Sequence, residues 1–378
     1  MKIIIGGDIT STFRGVQAFN DESVFSDDVV RLFKSADFSI VNLESPLRGI
    51  PNTYNKCGQA FELCPNAITY LRKSGVNAVT LANNHFKDQG DLGIINTIDV
   101  LNKEGFEYIG GGASSDEISK HLIIQDTIEV LNYCESEFSV EDNCGSNSMD
   151  PIKAFYDIQR AKKNSRYILV IIHGGREKYN LPTPRMQKLY RFMIDAGADL
   201  VVNHHQHCYS GYEKYKDGWI YYGLGNLFFD KGGSSKFQSY GYNEGFLLEL
   251  NISENKLQNY ILHPYTQGLK EKIPVTFMDK KEKENFFHIV EQLNSIIADK
   301  DSLAQCNENW CKSHERELLV NFEPFSNKYI KALYRRGFVP SLLSRTQKLV
   351  LLNMLRCETH NEQSINALIN TLNLTIVR

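Results

Sequence analysis

The chain lacks the features that mark several specialised protein classes. Its 42 basic and 45 acidic residues give a net charge of −3, so a broad basic surface for nucleic acid is not expected. No apolar run approaches the roughly 20 residues that span a bilayer. The N-terminal Met-Lys-Ile-Ile-Ile stretch reaches glycine too early for a secretory signal. We therefore expect no nucleic-acid partner, no integral membrane segment and a cytoplasmic location.

Cysteine motifs are also missing. The eight cysteines form no CxxC pair and no zinc-ribbon spacing, which excludes the common cysteine-based metal sites. Without a secretory signal, they are expected to be reduced thiols. Hydrophobic residues make up 42% of the chain and charged residues 23%, as in ordinary globular proteins. A chain of 378 residues has room for a large α/β core and an appendage.

Short apolar runs alternate with amphipathic stretches over the first 265 residues. Runs rich in β-branched or aromatic residues predict strands at 2–5, 38–43, 78–81, 167–172, 200–202 and 219–223. Helical patterns lie at 24–35, 66–74, 92–104, 151–163 and 184–196. This alternation predicts βαβ units and a largely parallel sheet. Segments 123–134 and 246–262 instead favour antiparallel pairing, so we expect a mixed α/β architecture.

The sequence changes character near residue 268. Charged, helix-prone clusters occur at 270–272 and 280–284, and apolar residues recur at helical spacing over 286–297. The remainder is typical of short helices, with a break at Pro340. We predict a domain boundary here, with the α/β domain at residues 1–268 and a helical C-terminal extension at residues 269–378.

Acids, asparagines and histidines follow the ends of five predicted strands. They are Asp8, Glu44, Asn84 with His85, His173, and the run His204-His205-Gln206-His207. Ligands of open α/β sheets bind at the carboxyl ends of the strands, so these side chains are expected to converge. Each of them alone is more often a turn former or a structural residue. Five coincidences in one fold favour a site.

The residue types in this set suit divalent metal ions. The expected ligands are Asp8, Glu44, Asn84, His173, His205 and His207. Such mixed oxygen and nitrogen sets bind one or two ions such as Mn²⁺, Zn²⁺ or Fe²⁺, and a carboxylate can bridge two of them for hydrolysis. His85 would then serve as an acid or an oxyanion contact. If the segment after residue 203 is extended, His205 and His207 point to one side and His204 faces away as a structural residue.

At these residues the sequence resembles the capsule synthesis protein CapA family (poly-γ-glutamate capsule biosynthesis), a branch of the calcineurin-like metallophosphoesterase superfamily. The resemblance rests on Gly7-Asp8, residues 42–47, residues 82–85 with Asp88 and Gly90, His173-Gly174-Gly175 with Glu177, and residues 195–199, 203–207 and 222–230. Their order and spacing match over roughly residues 1–265. The resemblance implies a four-layer α/β/β/α metallophosphoesterase-like sandwich with its site at the carboxyl ends of the strands.

The resemblance also implies roles for single residues. It makes the six expected ligands metal-site counterparts and His85 the catalytic histidine, and it adds Asn226 in a loop near the site. One departure stands out, because the superfamily has Asp-x-His where this chain has Thr10. The ion held by Asp8, Glu44 and His207 would therefore lose an imidazole and bind less well than its neighbour.

Two functions remain open at this point. The first is a metal-dependent hydrolase, acting on a phosphoester or, as a weaker variant, on an amide, in capsule or polyanionic polymer biosynthesis. The second is a non-hydrolytic binding or assembly factor in poly-γ-glutamate or polysaccharide capsule synthesis. Either would take a small or polymeric anionic substrate. Three arginines near the motifs are candidate anion contacts: Arg14, Arg48 and Arg176. We predict that Arg176 and Asn226 bind the substrate.

Overall fold

The computed structural model describes residues 1–10, 13–48, 59–136, 139–140, 143–164, 166–229, 241–268, 275–316, 320, 322–356 and 368. Three features named above lie outside the described residues: the side chain of Arg14, Asp230 of the last motif, and the charged stretch at 270–272 beside the expected domain boundary. The described chain forms two compact units, Met1–Leu303 and Ala304–Arg378.

Strands and helices alternate through the first unit. The strands are β1 (Lys2–Ile9), β2 (Phe38–Leu43), β3 (Ala78–Thr80), β4 (Glu107–Ile109), β5 (Gly111–Gly112), β6 (Leu122–Ile124), β7 (Ile128–Cys134), β8 (Gly145–Ser146), β9 (Tyr167–His173), β10 (Leu200–His204), β11 (Tyr212–Tyr215), β12 (Gly218–Tyr221), β13 (Asn226–Phe228), β14 (Glu244–Ser253), β15 (Lys256–Gln267) and β16 (Val275–Phe277). The helices of the chain are α1 (Phe13–Asn20), α2 (Asp27–Lys34), α3 (Pro65–Lys73), α4 (Gly90–Lys103), α5 (Ser115–Ile118), α6 (Pro151–Lys162), α7 (Pro184–Asp195), α8 (Lys280–Ala298), α9 (Lys300–Ser313), α10 (Lys328–Arg335) and α11 (Arg345–Arg356).

The strands build two large sheets. The first has the order β16-β15-β14-β1-β2-β3-β4, with β13 pairing to β1 beside that path. Its β1 to β4 half is parallel and its β14 to β16 half is antiparallel. The second sheet has the order β11-β12-β10-β9-β7-β6, with four parallel central strands and antiparallel edges. The expected mixture of parallel and antiparallel pairing is confirmed.

Helices cover the outer faces of the two sheets. Phe33 of α2, Leu71 of α3 and Ile98 of α4 share one buried cluster with Val41 of β2, while α6 and α7 pack on the second sheet. The inner faces meet each other: Trp219 of β12 contacts a tyrosine of β15, Tyr260, with ring centroids 4.8 Å apart. Residues of β7 and β9 are buried on both sides, which explains the continuous apolar run of β9 up to Ile172. The α/β/β/α arrangement implied by the resemblance is confirmed.

Helix α8 belongs to the first unit, which therefore extends beyond residue 268. The ring of its Phe286 lies 4.6 Å from that of Tyr209, centroid to centroid. Gln187 of α7 donates a hydrogen bond to the carbonyl of Ile297 at 2.8 Å. These contacts place the end of the unit at Leu303.

The second unit has a small core of its own. Val320, Phe325 and Tyr334 are buried together, and Val339 packs against them. Among the described residues, none of the helices has both the length and the apolar character that a membrane span requires.

The side chain of Asn132 links the second sheet to the first. Its Oδ1 accepts a hydrogen bond from the backbone N–H of Ala82 at 2.9 Å, and its Nδ2 donates to the carbonyl of Ile171 at 3.1 Å. Asn132→Ala removes both bonds from a buried position. We expect the free energy of unfolding in urea to fall by about 2–3 kcal/mol. The matched variant Asn259→Ala, at an exposed position of β15, should change it by less than about 0.5 kcal/mol. Equal effects of the two variants would contradict the bridging role.

Candidate metal centre

Six side chains from both sheets converge at the carboxyl ends of the parallel strands. Asp8 lies on β1, Glu44 follows β2, Asn84 lies beyond β3, His173 ends β9, and His205 and His207 follow β10. None of the six is more than 6% exposed. The structure thus brings together every residue that the sequence put forward as a ligand.

The first group of ligand atoms surrounds the ring of His173. Its Nε2 lies 3.0 Å from Asn84 Oδ1, 3.0 Å from His205 Nδ1 and 3.9 Å from Glu44 Oε1. Atoms bound to one ion at about 2.1 Å lie roughly 3–3.5 Å from one another. The donor set and its spacing therefore fit a divalent transition metal.

The second group consists of Asp8, Glu44 and His207, whose ligand atoms lie within 4.8 Å of one another. His207 places Nε2 3.4 Å from Glu44 Oε1 and Nδ1 3.5 Å from Asp8 Oδ2. Glu44 is a member of both groups. Its carboxylate is therefore placed to bridge two ions. Thr10 contributes nothing here, because its hydroxyl pairs with that of Ser45.

Opposite charges meet in the second group. Burial alone would raise the pKa of Asp8, but hydrogen bonds and charge from His204 and His207 outweigh it and hold that pKa well below its usual value. Burial also disfavours a charged His207, yet the negative charge of Glu44 and the bond to Asp8 raise the pKa of His207 to about 9. A bound cation would take the place of the proton that these acids attract.

The histidines of the first group are held neutral. Burial and the neighbouring imidazole of His205 lower the pKa of His173 well below its usual value. Burial, followed by the charge on His207, lowers the pKa of His205 to about 4. Neutral imidazole is the form that ligates a metal ion, so this group needs no deprotonation to bind one.

A left-handed turn aims His205 and His207 at the centre. Strand β10 ends at His204, and the two ligand histidines have φ angles of +88° and +57°. The expectation of an extended segment is therefore wrong, and so is the expectation that His204 faces away. Its Nδ1 lies 3.3 Å from Asp8 Oδ1. Non-glycine residues adopt such angles at a cost of about 1–3 kcal/mol each, and they concentrate at functional sites.

Two buried asparagines orient the ligands. Asn42 Nδ2 donates to Asp8 Oδ1 at 2.8 Å and lies 3.3 Å from His173 Nδ1. Asn226 Oδ1 accepts from Nδ1 of His207 at 2.8 Å, and its Nδ2 donates to the His207 carbonyl at 3.1 Å. Asn226 is 0% exposed, and its two bonds hold the ring and the backbone of His207. The substrate contact expected for it stays a prediction. Sequence reasoning used Asn42 only as part of the motif at residues 42–47, although a polar residue in an apolar strand two positions before Glu44 was a signal of its own.

His85 lies beside the first group with its own carboxylate partner. Its Nδ1 is 2.5 Å from Asp88 Oδ2, which also accepts from the backbone N–H of Phe61 at 2.8 Å. The Phe61 ring packs on the imidazole, with centroids 4.5 Å apart. Because His85 directly follows Asn84, one turn carries both side chains.

Three further residues lie towards the surface. Arg176 is partly buried, and its guanidinium lies 5.0 Å from the centre of the Tyr179 ring. Arg48 forms an exposed ion pair with Glu62 at 3.3 Å. Glu177 is exposed and forms a third possible ligand group with His205 and His207. Sequence reasoning used Glu177 only as part of a motif.

The structure generates a direct test of the ligand groups. After incubation with Mn²⁺ or Zn²⁺ and gel filtration, we expect the wild-type chain to retain at least one metal equivalent by elemental analysis. His173→Ala should lose most of it, because the better-equipped group loses its central ligand. His207→Ala should lose less metal, because it removes a ligand only from the second group, which already lacks the imidazole replaced by Thr10.

The exposed His288 of α8 supplies a matched control. His288→Ala should retain as much metal as the wild type. Absence of metal in the supplied wild-type chain, or full retention by His173→Ala, would contradict the ligand assignment.

Comparison with curated proteins finds relatives concerned with capsule polymers. The capsule biosynthesis protein CapA of Bacillus anthracis is 31% identical over 214 residues, which are 53% of this chain and 52% of that protein. The PGA biosynthesis protein CapA of Bacillus subtilis (strain 168) is 31% identical over 211 residues, 53% of this chain and 55% of that protein. A protein named as a probable polyglutamine synthesis accessory protein of Mycobacterium tuberculosis is 21% identical over 238 residues, 58% of this chain and 60% of its own length. The chain spans about half the length of the curated relatives it matches.

A solved structure and a family model complete the comparison. The crystal structure of a hypothetical protein from Thermus thermophilus aligns with a TM-score of 0.45 and 13% identity, over 70% of this chain and 99% of that one. The family model for the bacterial capsule synthesis protein PGA_cap matches residues 2–231, which include every member of both ligand groups and His85. The chain belongs to the bacterial capsule synthesis protein PGA_cap family.

Proposed function

We propose that the protein is a metal-dependent hydrolase that acts on a phosphoester in the biosynthesis of a capsule or another anionic polymer. One observation carries this proposal: Glu44 is shared by two buried groups of ligand atoms at the carboxyl ends of the strands. Shared carboxylates of this kind are typical of two-metal hydrolytic sites. The names of the relatives support the connection to capsule polymers.

The side chains of the site would have different roles in such a reaction. Bound divalent ions would supply Lewis-acid activation of a water molecule and of the substrate oxygen. Glu44 and the histidines would hold the ions, and Asn42 and Asn226 would keep Asp8 and His207 in orientation. These groups are almost completely buried, so little bulk water screens their charges. Their electrostatic interaction with a bound ion or substrate would therefore be stronger than in water.

His85 is the residue placed to move a proton. Its Nδ1–H donates to Asp88, so the imidazole is oriented and Nε2 is the atom that would exchange a proton with the leaving oxygen. The arrangement resembles other catalytic histidines that a carboxylate holds in one tautomer. Arg176, partly buried above Tyr179, supplies the positive charge for an anionic substrate, either a small molecule or a polymer.

A second function is favoured by a separate observation. The three relatives carry names that describe biosynthesis or a synthesis accessory role, and none of these names is that of a hydrolase. The chain also has Thr10 in place of an imidazole, so its second ligand group has three members. A non-hydrolytic factor that binds an anionic polymer through a single ion would explain both facts.

His85 distinguishes the two functions. If the protein hydrolyses a phosphoester, His85→Ala should lower kcat by about 10²–10⁴-fold, because general acid–base groups typically contribute that much. Its metal content should equal that of the wild type, since His85 belongs to neither ligand group. The measurements are turnover of a panel of phosphomonoesters, phosphodiesters and amides, and elemental analysis of the same samples.

Asp88→Asn and His288→Ala complete the experiment. Asp88→Asn should reduce kcat in the same direction and alter its pH profile, because the imidazole loses its carboxylate partner. His288→Ala, far from the ligand groups in sequence and exposed, should be unchanged. Full activity of His85→Ala on a substrate of the wild type would refute the catalytic role. Metal binding without turnover on the whole panel would select the non-hydrolytic function.

A further inference from the structure

The C-terminal helical segment, which comprises residues 328–355, has a charge unlike the rest of the chain. It contains six basic residues and no acidic one: Lys328, Lys331, Arg335, Arg336, Arg345 and Lys348. The remaining residues then carry 36 basic against 45 acidic side chains, a net charge of −9. Among the described residues, none of the six basic side chains forms a salt bridge. No acidic residue within the part of the chain that the structure describes thus pairs with this charge.

Helix α10 separates this charge from apolar surface. Tyr329, Ile330 and Leu333 are exposed, and their spacing places them within about a third of the helix circumference. Lys331 and Arg335 lie four residues apart on the opposite side. Lys328 borders the apolar strip, with its Nζ 5.2 Å from the centre of the Tyr329 ring. Tyr334 turns inward to the small core with Val320 and Phe325. The helix thus has an apolar strip that the described residues of its unit leave exposed.

The apolar surface continues through the rest of the segment. Large side chains after α10 are exposed as well: Phe338, Leu342, Leu349, Val350, Leu352 and Leu355. Phe338 is 75% exposed. Leu349, Leu352 and Leu355 of α11 recur every three residues and share a side with Arg345 and Lys348. Exposed apolar side chains of this number are unusual outside binding surfaces.

We propose that the C-terminal helical segment docks on the surface of an anionic lipid membrane. The six cations complement acidic headgroups, and the exposed tyrosine, phenylalanine and leucine side chains can enter the boundary between headgroups and acyl chains. Long lysine and arginine side chains reach the headgroups while their stems lie against lipid. A dissolved polyanion would pair with the cations but would leave the apolar side chains in water. The combination of basic and exposed apolar side chains therefore favours a membrane surface over a dissolved polyanion.

Vesicle co-sedimentation of the full chain tests this docking. We expect binding to vesicles of phosphatidylcholine with 25% phosphatidylglycerol, little binding to phosphatidylcholine alone, and weaker binding when NaCl is raised from 50 to 500 mM. Arg335→Gln with Arg336→Gln should lower the partition coefficient about 25-fold, at about 5-fold for each charge near the surface. The control pair Lys280→Gln with Lys281→Gln, exposed on α8, should change it less than 2-fold.

A second pair of variants tests the apolar contribution. Leu333→Ser with Phe338→Ser should lower the partition coefficient at least 10-fold without changing the charge. The control pair Ile152→Ser with Tyr156→Ser removes two apolar side chains of α6 that are 70% and 66% exposed and should have no effect. Circular dichroism and the unfolding midpoint of each variant show that the fold is retained.

Each alternative occupant gives a distinct result that overturns the proposal. Sedimentation with neutral and acidic vesicles alike, or with neither, excludes docking on acidic lipid. A dimer in light scattering that Leu333→Ser with Phe338→Ser dissociates, without vesicle binding, identifies a second copy of the chain. Binding to soluble polyglutamate that Arg335→Gln with Arg336→Gln abolishes and the serine variants do not, without vesicle binding, identifies the polymer.

Discussion

The need to compensate one buried carboxylate constrains the whole centre. Asp8 has exchanged water for protein contacts, and a buried charge is tolerated only where donors or opposite charges replace that water. Asn42 supplies one donor from the same sheet, and the backbone N–H of His205 supplies another at 3.2 Å from the opposite sheet. The rings of His204 and His207 add further contacts. The pairing of the two sheets and the geometry of the ligands thus depend on the same atoms.

The spacing of apolar residues, together with the glycines and turn-forming residues between the apolar segments, was enough to predict most elements of the fold. The glycines after α3, α4 and α7 adopt the left-handed angles that end helices, as Gly75 shows with φ +99°. The paired strands β14 and β15 were expected, and Glu254 and Asn255 form the tight turn between them at positive φ. The end of the first unit could not be predicted. An amphipathic helix such as α8 shows which face is buried but not which body covers it.

Some features of the candidate site could likewise be predicted from the sequence, and others could not. The convergence of the six candidate ligands could be predicted, because parallel strands end at one edge of a sheet. The turn at His205 and His207 could not be foreseen, since non-glycine residues take positive φ only when surrounding contacts impose it. The hydrogen bonds of Asn42 to Asp8 and of Asn226 to His207 could not be predicted for a related reason. A hydrogen bond between residues far apart in the chain leaves no local pattern.

The position of β1 determines when the centre can form during synthesis. One neighbour of this strand is β14, which lies far later in the chain, and Lys2 pairs with Asn251. Asp8 contacts the backbone of His205, 197 residues later. Contacts so distant in sequence slow folding, and until β14 emerges β1 is an open edge that can pair wrongly. The side chains of Asp8 and His205 therefore come together only late in folding, and β1 needs protection from wrong pairing until β14 is available.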